Sequence, residues 1–370
     1  MNVAGRPTRT LWPSADGSAV EIIDQTKLPH AFVTTRLANL DDAAHGIRAM
    51  LVRGAPLIGA TAAWGMWLAL RQDSSDAGLA HAHATLLSTR PTAVNLRWAL
   101  DRVRAHVAPL AAASRPAAAR QLAVEICDED VTLNRGIANA GLPLIRAAAA
   151  RKSKGARVNI LTHCNAGWVA TVDWGTVTAP IFMAHDKGIP VHVWVDETRP
   201  RNQGLLTAWE LAAHGVPHTL VTDNAGGHLM QMKRVDMVMV GADRVTRRGD
   251  VCNKIGTYLK ALAARDNGIP FYACVPSPTI DWSIEDGIEE IPIEERSPDE
   301  VRMVRGVDVD GKYAEVRIAP AATPVANPAF DVTPHDLVTG IITEKGIARA
   351  SERELLAFWP DEQRSNAFLT

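Results

Sequence analysis

Asp243 ends an apolar run, and a short way beyond it the chain supplies Asn253, Lys254 and Thr257. The segment from Val235 to Tyr258 reads VDMVMVGADRVTRRGDVCNKIGTY. Val238, Met239 and Val240 have the character of a buried parallel strand. Gly241 and Ala242 then bring the backbone close to whatever Asp243 faces, and open α/β sheets bind ligands at such strand ends. Asn253, Lys254 and Thr257 read as the opening of an amphipathic helix, so amide and ammonium donors and free backbone N–H groups face the same crevice. A carboxyl beside an anion cradle suits chemistry on a phosphorylated substrate. Taken alone, the segment also fits an Asp that caps its loop and a Lys on a solvated helix face.

Cys164 stands at a second strand end, after Val158 to Thr162 and before Asn165, Ala166 and Gly167, with small residues that leave a ligand room. A thiol there can act as proton carrier or nucleophile if a cation or a helix N-terminus lowers its pKa; alone, it also fits an inert buried thiol. Asp243 at the end of a neighbouring strand is its natural partner, because a desolvated carboxyl stays protonated to higher pH and can donate. Arg53, Gly54, Ala55 and Pro56 interrupt two helical stretches, and a glycine turn before a helix with an arginine beside it makes an anion site. Asn95 and Arg97 supply a further fork of donors, or else a solvated helix face. There is no G-x-G-x-x-G after a strand and no Walker loop, and no metal or cofactor is expected, so side chains must supply the chemistry.

These residues need elements to hold them. Five apolar runs, VNILTHC from Val158, PVHVWVDE from Pro190, HTLVTDN from His218, VDMVMVGAD from Val235 and IPFYACVPS from Ile269, alternate with helical segments. That alternation predicts a Rossmann-like, doubly wound parallel sheet over residues 151–370. Each run ends in something polar: His163 to Asn165, Asp196 with Glu197, Asp223 with Asn224, Asp243 and Ser277. From Leu40 to about Ala150 the chain is rich in Ala, Leu and Arg with helical spacing, so residues 1–150 are expected to form a mainly helical domain. Within it, residues 9–35 alternate around Asp16 and Gly17 as a small β hairpin packed on its own domain.

Composition limits the function. The chain has 370 residues, 47% hydrophobic and 22% charged, with a net charge of -2, which suits a globular protein and offers no basic footprint for nucleic acid or an anionic membrane. No run reaches the roughly 18 apolar residues of a membrane span, and the N-terminus has no signal-peptide core, so a cytoplasmic location is expected. Cys127, Cys164, Cys252 and Cys274 are widely spaced and expected as thiols. His81 and His83 read as surface residues on different sides of a helix.

The blocks RGAPLIGATAAWGM, ILTHCNAGWVAT, VDETRPRNQG followed by TAWEL, TDNAGGHLM and VGADRVTRRGDVCNKIGTY resemble, in order, the methylthioribose-1-phosphate isomerase family. That family shares its fold with the regulatory subunits of the translation-initiation guanine-nucleotide exchange factor. The resemblance runs from about Thr10 to Ile347. It implies an aldose-to-ketose isomerisation of a sugar phosphate in methionine salvage, with Asp243 as proton donor and Cys164 assisting at the transition state. It also implies that Arg53, Gly54, Ala55, Arg97, Gln203, Asn253 and Lys254 hold the phosphate and sugar hydroxyls, and that the protein is a homodimer, which an apolar C-terminal helical region would suit. Trp64, Met66 and Trp168 are candidate apolar walls for a methylthio group. The chain departs from the family pattern at Gly227, Thr246 to Arg248 and Cys252. Other readings on this fold are an isomerase of 5-deoxyribose 1-phosphate or ribose 1,5-bisphosphate, and a non-catalytic regulatory subunit.

Overall fold

A computed structural model describes residues 1–3, 5–90 and 93–360. The chain begins with a two-residue ladder, β1 (Asn2–Val3) with β2 (Arg6–Pro7), followed by three antiparallel strands, β3 (Leu11–Pro13), β4 (Val20–Ile23) and β5 (Thr34–Leu37). The expected hairpin around Gly17 is therefore present with a third strand added. It does not pack on one core alone: Leu11 and Ile22 join the helical layer, while Ile23 and Trp12 lean on the core under the large sheet.

The helical layer comprises α1 (Leu40–Arg48), α2 (Ala55–Leu70), α3 (Asp76–Leu87), α4 (Val94–Val107) and α5 (Arg115–Ala150). In α2 every residue except Pro56 is buried. A helix that is apolar all round must be central, and α1, α3, α4 and α5 surround it. Trp64 and Met66 face that core, and Trp64 Nε1 donates to Cys127 Sγ across 3.3 Å; neither lines the hollow that holds Cys164 and Asp243, contrary to expectation. His83 is another correction. It shares a face of α3 with Leu79 and Leu86, so packing against α4 buries it, and its Nε2 lies 2.8 Å from Asp101 Oδ1. α5 is 36 residues long, about 54 Å at helical rise, and links the two halves: Leu122 and Ile126 pack with α2, Ile137 and Ile145 under the sheet.

Seven strands then form the main sheet. β6 (Val158–Thr162), β7 (Val191–Asp196), β8 (His218–Val221), β9 (Met237–Val240) and β12 (Phe271–Cys274) are the five expected strands, and all are parallel. Two more strands, β17 (Gly340–Thr343) and β18 (Gly346–Ala348), complete the order β18-β17-β12-β9-β6-β7-β8, only β18 running antiparallel. Side chains alternate between faces: Met237 and Met239 point to the core shared with α5, α6 (Thr178–Asp186) and α7 (Gly204–His214), whereas Val238 and Val240 point to α8 (Ala225–Gln231) and α9 (Thr257–Asp266). The sheet is therefore doubly wound. Its order reverses between β6 and β9.

A second sheet stands beside that switch point. Here β10 (Arg244–Thr246) and β11 (Val251–Lys254) form a hairpin, flanked by β13 (Ile280–Asp281) and β16 (Phe330–Thr333). Asn253 and Lys254 thus end a strand, and only Thr257 opens a helix, which corrects the helical reading of that pair. Val251 and Val245 pack inward, and it is this burial on both sides that makes the segment a strand. The remainder holds α10 (Gly287–Glu290), α11 (Asp299–Arg302), an exposed hairpin of β14 (Met303–Val307) and β15 (Tyr313–Arg317), and α12 (Glu352–Leu356). The C-terminal part is chiefly strands rather than the expected apolar helices, and residues 361–370 lie outside the described residues.

Candidate active site

Cys164 follows β6 and Asp243 follows β9, so the two stand on either side of the switch point, and both line one hollow. Close approach of the strand ends requires small residues: a Cβ on Gly241 would come within 2.6 Å of Ala166 Cβ. Cys164 has φ 68, a region that residues with a Cβ rarely enter and that costs about 1–3 kcal/mol. Hydrogen bonds hold it there. Its amide donates to Thr198 Oγ1 across 2.8 Å, and its carbonyl accepts from Thr207 Oγ1 at 2.9 Å.

The next residue carries the geometry onward. Asn165 Nδ2 donates to Glu210 Oε1 at 2.8 Å, while its Oδ1 accepts from Arg53 Nη2 at 2.8 Å. Glu210, fully buried, also accepts the amides of Trp168 and Val169, and Gly167 is obligatory because a Cβ there would lie 1.7 Å from Glu210 Oε2. Trp168, a candidate wall, is buried in the core behind the hollow. Burial pushes Glu210 from the usual 4.5 up to about 7, against the opposing pull of Asn165, Val169, Trp168 and Arg53. A folded-state pKa above the unfolded value means that this stability is full below the unfolded pKa and is lost as pH rises through about 7. Thermal midpoints should therefore fall between about pH 5 and pH 8, and Glu210→Gln should flatten the decline. Parallel slopes in the two proteins would dismiss Glu210 as the cause.

The β10–β11 hairpin explains the spacing of the other chemical residues. Asp243 N–H donates to the Cys252 carbonyl at 2.9 Å, which sets Asn253 and Lys254 beside it. Burial raises the Asp243 carboxyl, while Lys254, Arg90 and Arg53 pull it back. Burial likewise lifts the Cys164 thiol against Arg53 and Lys254, and lowers Lys254 against Cys164 and Asp243. Lys254 Nζ sits 4.3 Å from the centroid of the Phe330 ring, and Asn253 Nδ2 is tied to Thr257 Oγ1 at 3.1 Å.

Opposite them the N-terminus of α2 opens into the hollow. Gly54 is its N-cap at φ 91, with no side-chain cap bond, and a Cβ there would stand 2.4 Å from the Ala170 carbonyl oxygen. Ala55 and Pro56 begin the helix, whose dipole favours an anion at this end. Arg53 Nε and Gln203 Oε1 are buried in the hollow with no hydrogen-bond partner among the described residues, the pattern of groups that await a ligand.

Arg97 is not brought to this place. It is exposed on α4, whose buried face is Asn95, Leu96, Ala99 and Leu100, so helical periodicity turns it to solvent. Arg90 lines the hollow instead, with Nη2 on Glu294 Oε2 at 3.2 Å and a buried Nε without partner among the described residues. Sequence reasoning missed Arg90 and Glu210. Arg90 precedes a proline in the loop before α4, and loops on a rigid scaffold are where ligand-binding residues concentrate. Apolar lining comes from Met50, Pro56, Ala166, Ala242, Pro276 and Phe330.

A thiol and a protonatable carboxyl thus flank a cradle of cations and helix amides, an arrangement suited to moving protons on an anchored phosphate ester. The initiation factor 2 subunit family matches residues 51–350, and the chain belongs to that family. A methylthioribose-1-phosphate isomerase of Methylorubrum extorquens is 60% identical over 366 residues, covering 99% of this chain and 100% of the relative. The 5-methylthioribose 1-phosphate isomerase of Pyrococcus horikoshii OT3 superposes with a TM-score of 0.82 at 39% identity over 96% of each chain. Translation initiation factor eIF-2B, subunit delta, from A. fulgidus gives 0.78 at 36%, covering 96% of this chain and 100% of that one. Within its family the chain stands among the methylthioribose-1-phosphate isomerases.

Proposed function

We propose that the chain is an aldose–ketose isomerase converting 5-methylthioribose 1-phosphate to 5-methylthioribulose 1-phosphate in methionine salvage. One observation carries the reading: Cys164 and Asp243, from strand ends on either side of the switch point, line one hollow with Arg53, Gly54, Gln203 and Lys254. A non-catalytic regulatory subunit would need neither the thiol nor the carboxyl.

The substrate sets the chemical problem. Its anomeric carbon carries the phosphate, so the ring cannot open to a free aldehyde as in ordinary sugar isomerisation. Asp243, its carboxyl raised by burial, donates in its protonated form to the ring oxygen as the C1–O bond breaks. The hydrogen on C2 must then reach C1 while the O2 hydroxyl gives up its proton, which returns Asp243 to its acid form. Two routes satisfy this balance: a Cys164 thiolate takes the C2 proton and delivers it to C1, or the hydrogen migrates as hydride while Cys164 only steadies charge. In deuterated water, label at C1 supports the proton relay and full retention of substrate hydrogen excludes it.

Purified protein offered 5-methylthioribose 1-phosphate, 5-deoxyribose 1-phosphate and ribose 1,5-bisphosphate should turn over the first fastest; no turnover of any of them would overturn the reading. Lys254→Ala should chiefly raise KM, through loss of a charge-assisted contact worth roughly 1.5 to 3 kcal/mol. An unchanged KM would count against that role. A boundary near residue 150 divides the chain between the helical and sheet patterns. Exposed Tyr258, Leu259 and Leu262 on α9, with exposed Met232 at the end of α8, which packs on α9, favour a homodimer, which a mass measured in solution tests. Four free thiols suit the reducing cytoplasm.

A further inference from the structure

His163 immediately precedes Cys164 and is 1% exposed. Its Nδ1 lies 2.9 Å from Oδ2 of Asp196, the last residue of the neighbouring strand β7. Its Nε2 donates across 2.8 Å to the carbonyl of Ile255, the residue after Lys254. A carbonyl oxygen only accepts, so this contact fixes a proton on Nε2. One ring therefore joins the strand that carries Cys164, in the seven-stranded sheet, to the end of β11, in the four-stranded sheet, which carries Lys254. Gly256 shows how closely the backbone presses on it. A Cβ at Gly256 would stand 3.0 Å from His163 Cε1 and 3.1 Å from Nε2, and its φ of 103 lies in the left-handed region.

Asp196 anchors the arrangement from below. It is fully buried, and the same Oδ2 lies 3.2 Å from Lys260 Nζ, which itself donates to the Asp223 carbonyl. Its main-chain carbonyl accepts from Thr198 Oγ1 at 3.0 Å, and that hydroxyl oxygen in turn accepts the Cys164 amide. Cys164 is thereby restrained twice from one residue, through His163 and through Thr198. His163, Asp196 and Asp223 approach one another closely enough to ligate an ion, but the Lys260 ammonium already supplies positive charge beside Asp196. The cluster is better matched to holding backbone than to binding a ligand.

We infer that His163 and Asp196 are positioning residues that hold the Cys164 thiol and the Lys254 ammonium at one separation across the bound sugar phosphate. The inference rests on the isomerase reading for its effect on turnover, but its geometry is separate. Neither side chain lines the hollow, so neither touches substrate.

Three variants of the full chain test it, each measured well below its own melting temperature: His163→Asn, His163→Gln and Thr198→Val. Glutamine keeps an N–H donor where Nε2 stands, and asparagine keeps one only where Nδ1 stands. His163→Asn should therefore release the end of β11, lower kcat by about 10²-fold, the scale of an ångström of misplacement, and raise KM for 5-methylthioribose 1-phosphate. His163→Gln should recover about tenfold of that loss. Thr198→Val removes the hydroxyl that links the Cys164 amide to the Asp196 carbonyl and leaves the His163–Ile255 contact in place, and should lower kcat with little change in KM. A second readout, alkylation of Cys164 by iodoacetamide followed by peptide mass spectrometry, needs no substrate and should change rate in His163→Asn and Thr198→Val. Lowered melting temperatures with kcat, KM and alkylation all at wild-type values would reduce the pair to a structural role and overturn the inference. If wild type fails to turn over the sugar phosphate, the isomerase reading falls while the alkylation rates still decide the positioning. Should the His163 variants not fold, Thr198→Val decides alone: unchanged alkylation and kcat sink the inference.

Discussion

Asp243→Asn is expected to lower kcat by about 10²- to 10⁴-fold, the range that a positioned general acid contributes, with KM nearly unchanged. The amide matches the carboxyl in shape, so the hollow keeps its form. It has no proton to give to the ring oxygen at a useful pKa, so the step in which the C1–O bond breaks loses its acid. Burial raises the Asp243 carboxyl while Lys254, Arg90 and Arg53 oppose the rise. The working form is the protonated acid. Activity should therefore persist above the ordinary carboxylate range near 3.9 and decline as pH rises through the Asp243 pKa, and that limb should vanish from the residual activity of the variant. A pH–rate profile of kcat/KM on both proteins checks this; an identical alkaline limb, or near-normal turnover, would take Asp243 out of the mechanism.

Cys164→Ser carries the second large effect, an expected drop in kcat of about 10²-fold or more, with the fold intact. Serine preserves volume and accepts the same backbone, including the strained φ of 68 that Thr198 and Thr207 enforce. What changes is acidity. Burial raises the Cys164 thiol while Arg53 and Lys254 oppose the rise, and a serine hydroxyl in the same surroundings is intrinsically far less acidic, so the variant loses the proton-carrying group. Loss of turnover with unchanged melting temperature and unchanged KM is the expected signature. If Cys164→Ser works near the wild-type rate, then the thiol neither relays the proton nor steadies the charge, and Asp243 would have to act without it.

Much of the architecture was legible because burial leaves a periodic mark. The five runs are apolar, their polar ends stand where parallel strands release the chain, and the helical segments between them imply a parallel, doubly wound sheet without fixing the order of its strands. Asp243, Cys164 and the Arg53–Gly54 turn were visible for the same reason: each breaks a regular pattern abruptly. The short strands left a weaker mark. VCNK in β11 looks like a helix start when read along the chain, and only its pairing to β10 and β16 makes it a strand. GIIT in β17 is no shorter than β8, β9 or β12, but it lies beyond the strand–helix alternation that marked the other five, and its pairing with β12 is what places it in the sheet.

Arg97 and Arg90 show where linear reasoning fails. Both lie near the start of α4 and both are arginines, and the proline after Arg90 marks a loop without saying which way that loop faces. The direction in which α4 turns its buried face excludes Arg97, and the loop before it carries Arg90 to the hollow. Glu210 is similar: one acid in an apolar amphipathic helix reads as a surface residue until Asn165, Trp168 and Val169 are seen to donate to it.

Local patterning, then, was enough to specify the α/β class, the strands that matter most and the thiol and carboxyl at their ends, because secondary structure and burial are short-range properties of residue order. Which strands became neighbours, which arginine faced inward and how the hairpin carried Lys254 to Asp243 were decided by tertiary packing. Those outcomes depend on closing two sheets and a long helix around common cores, and contacts between residues far apart in the chain leave no periodic trace in any one segment.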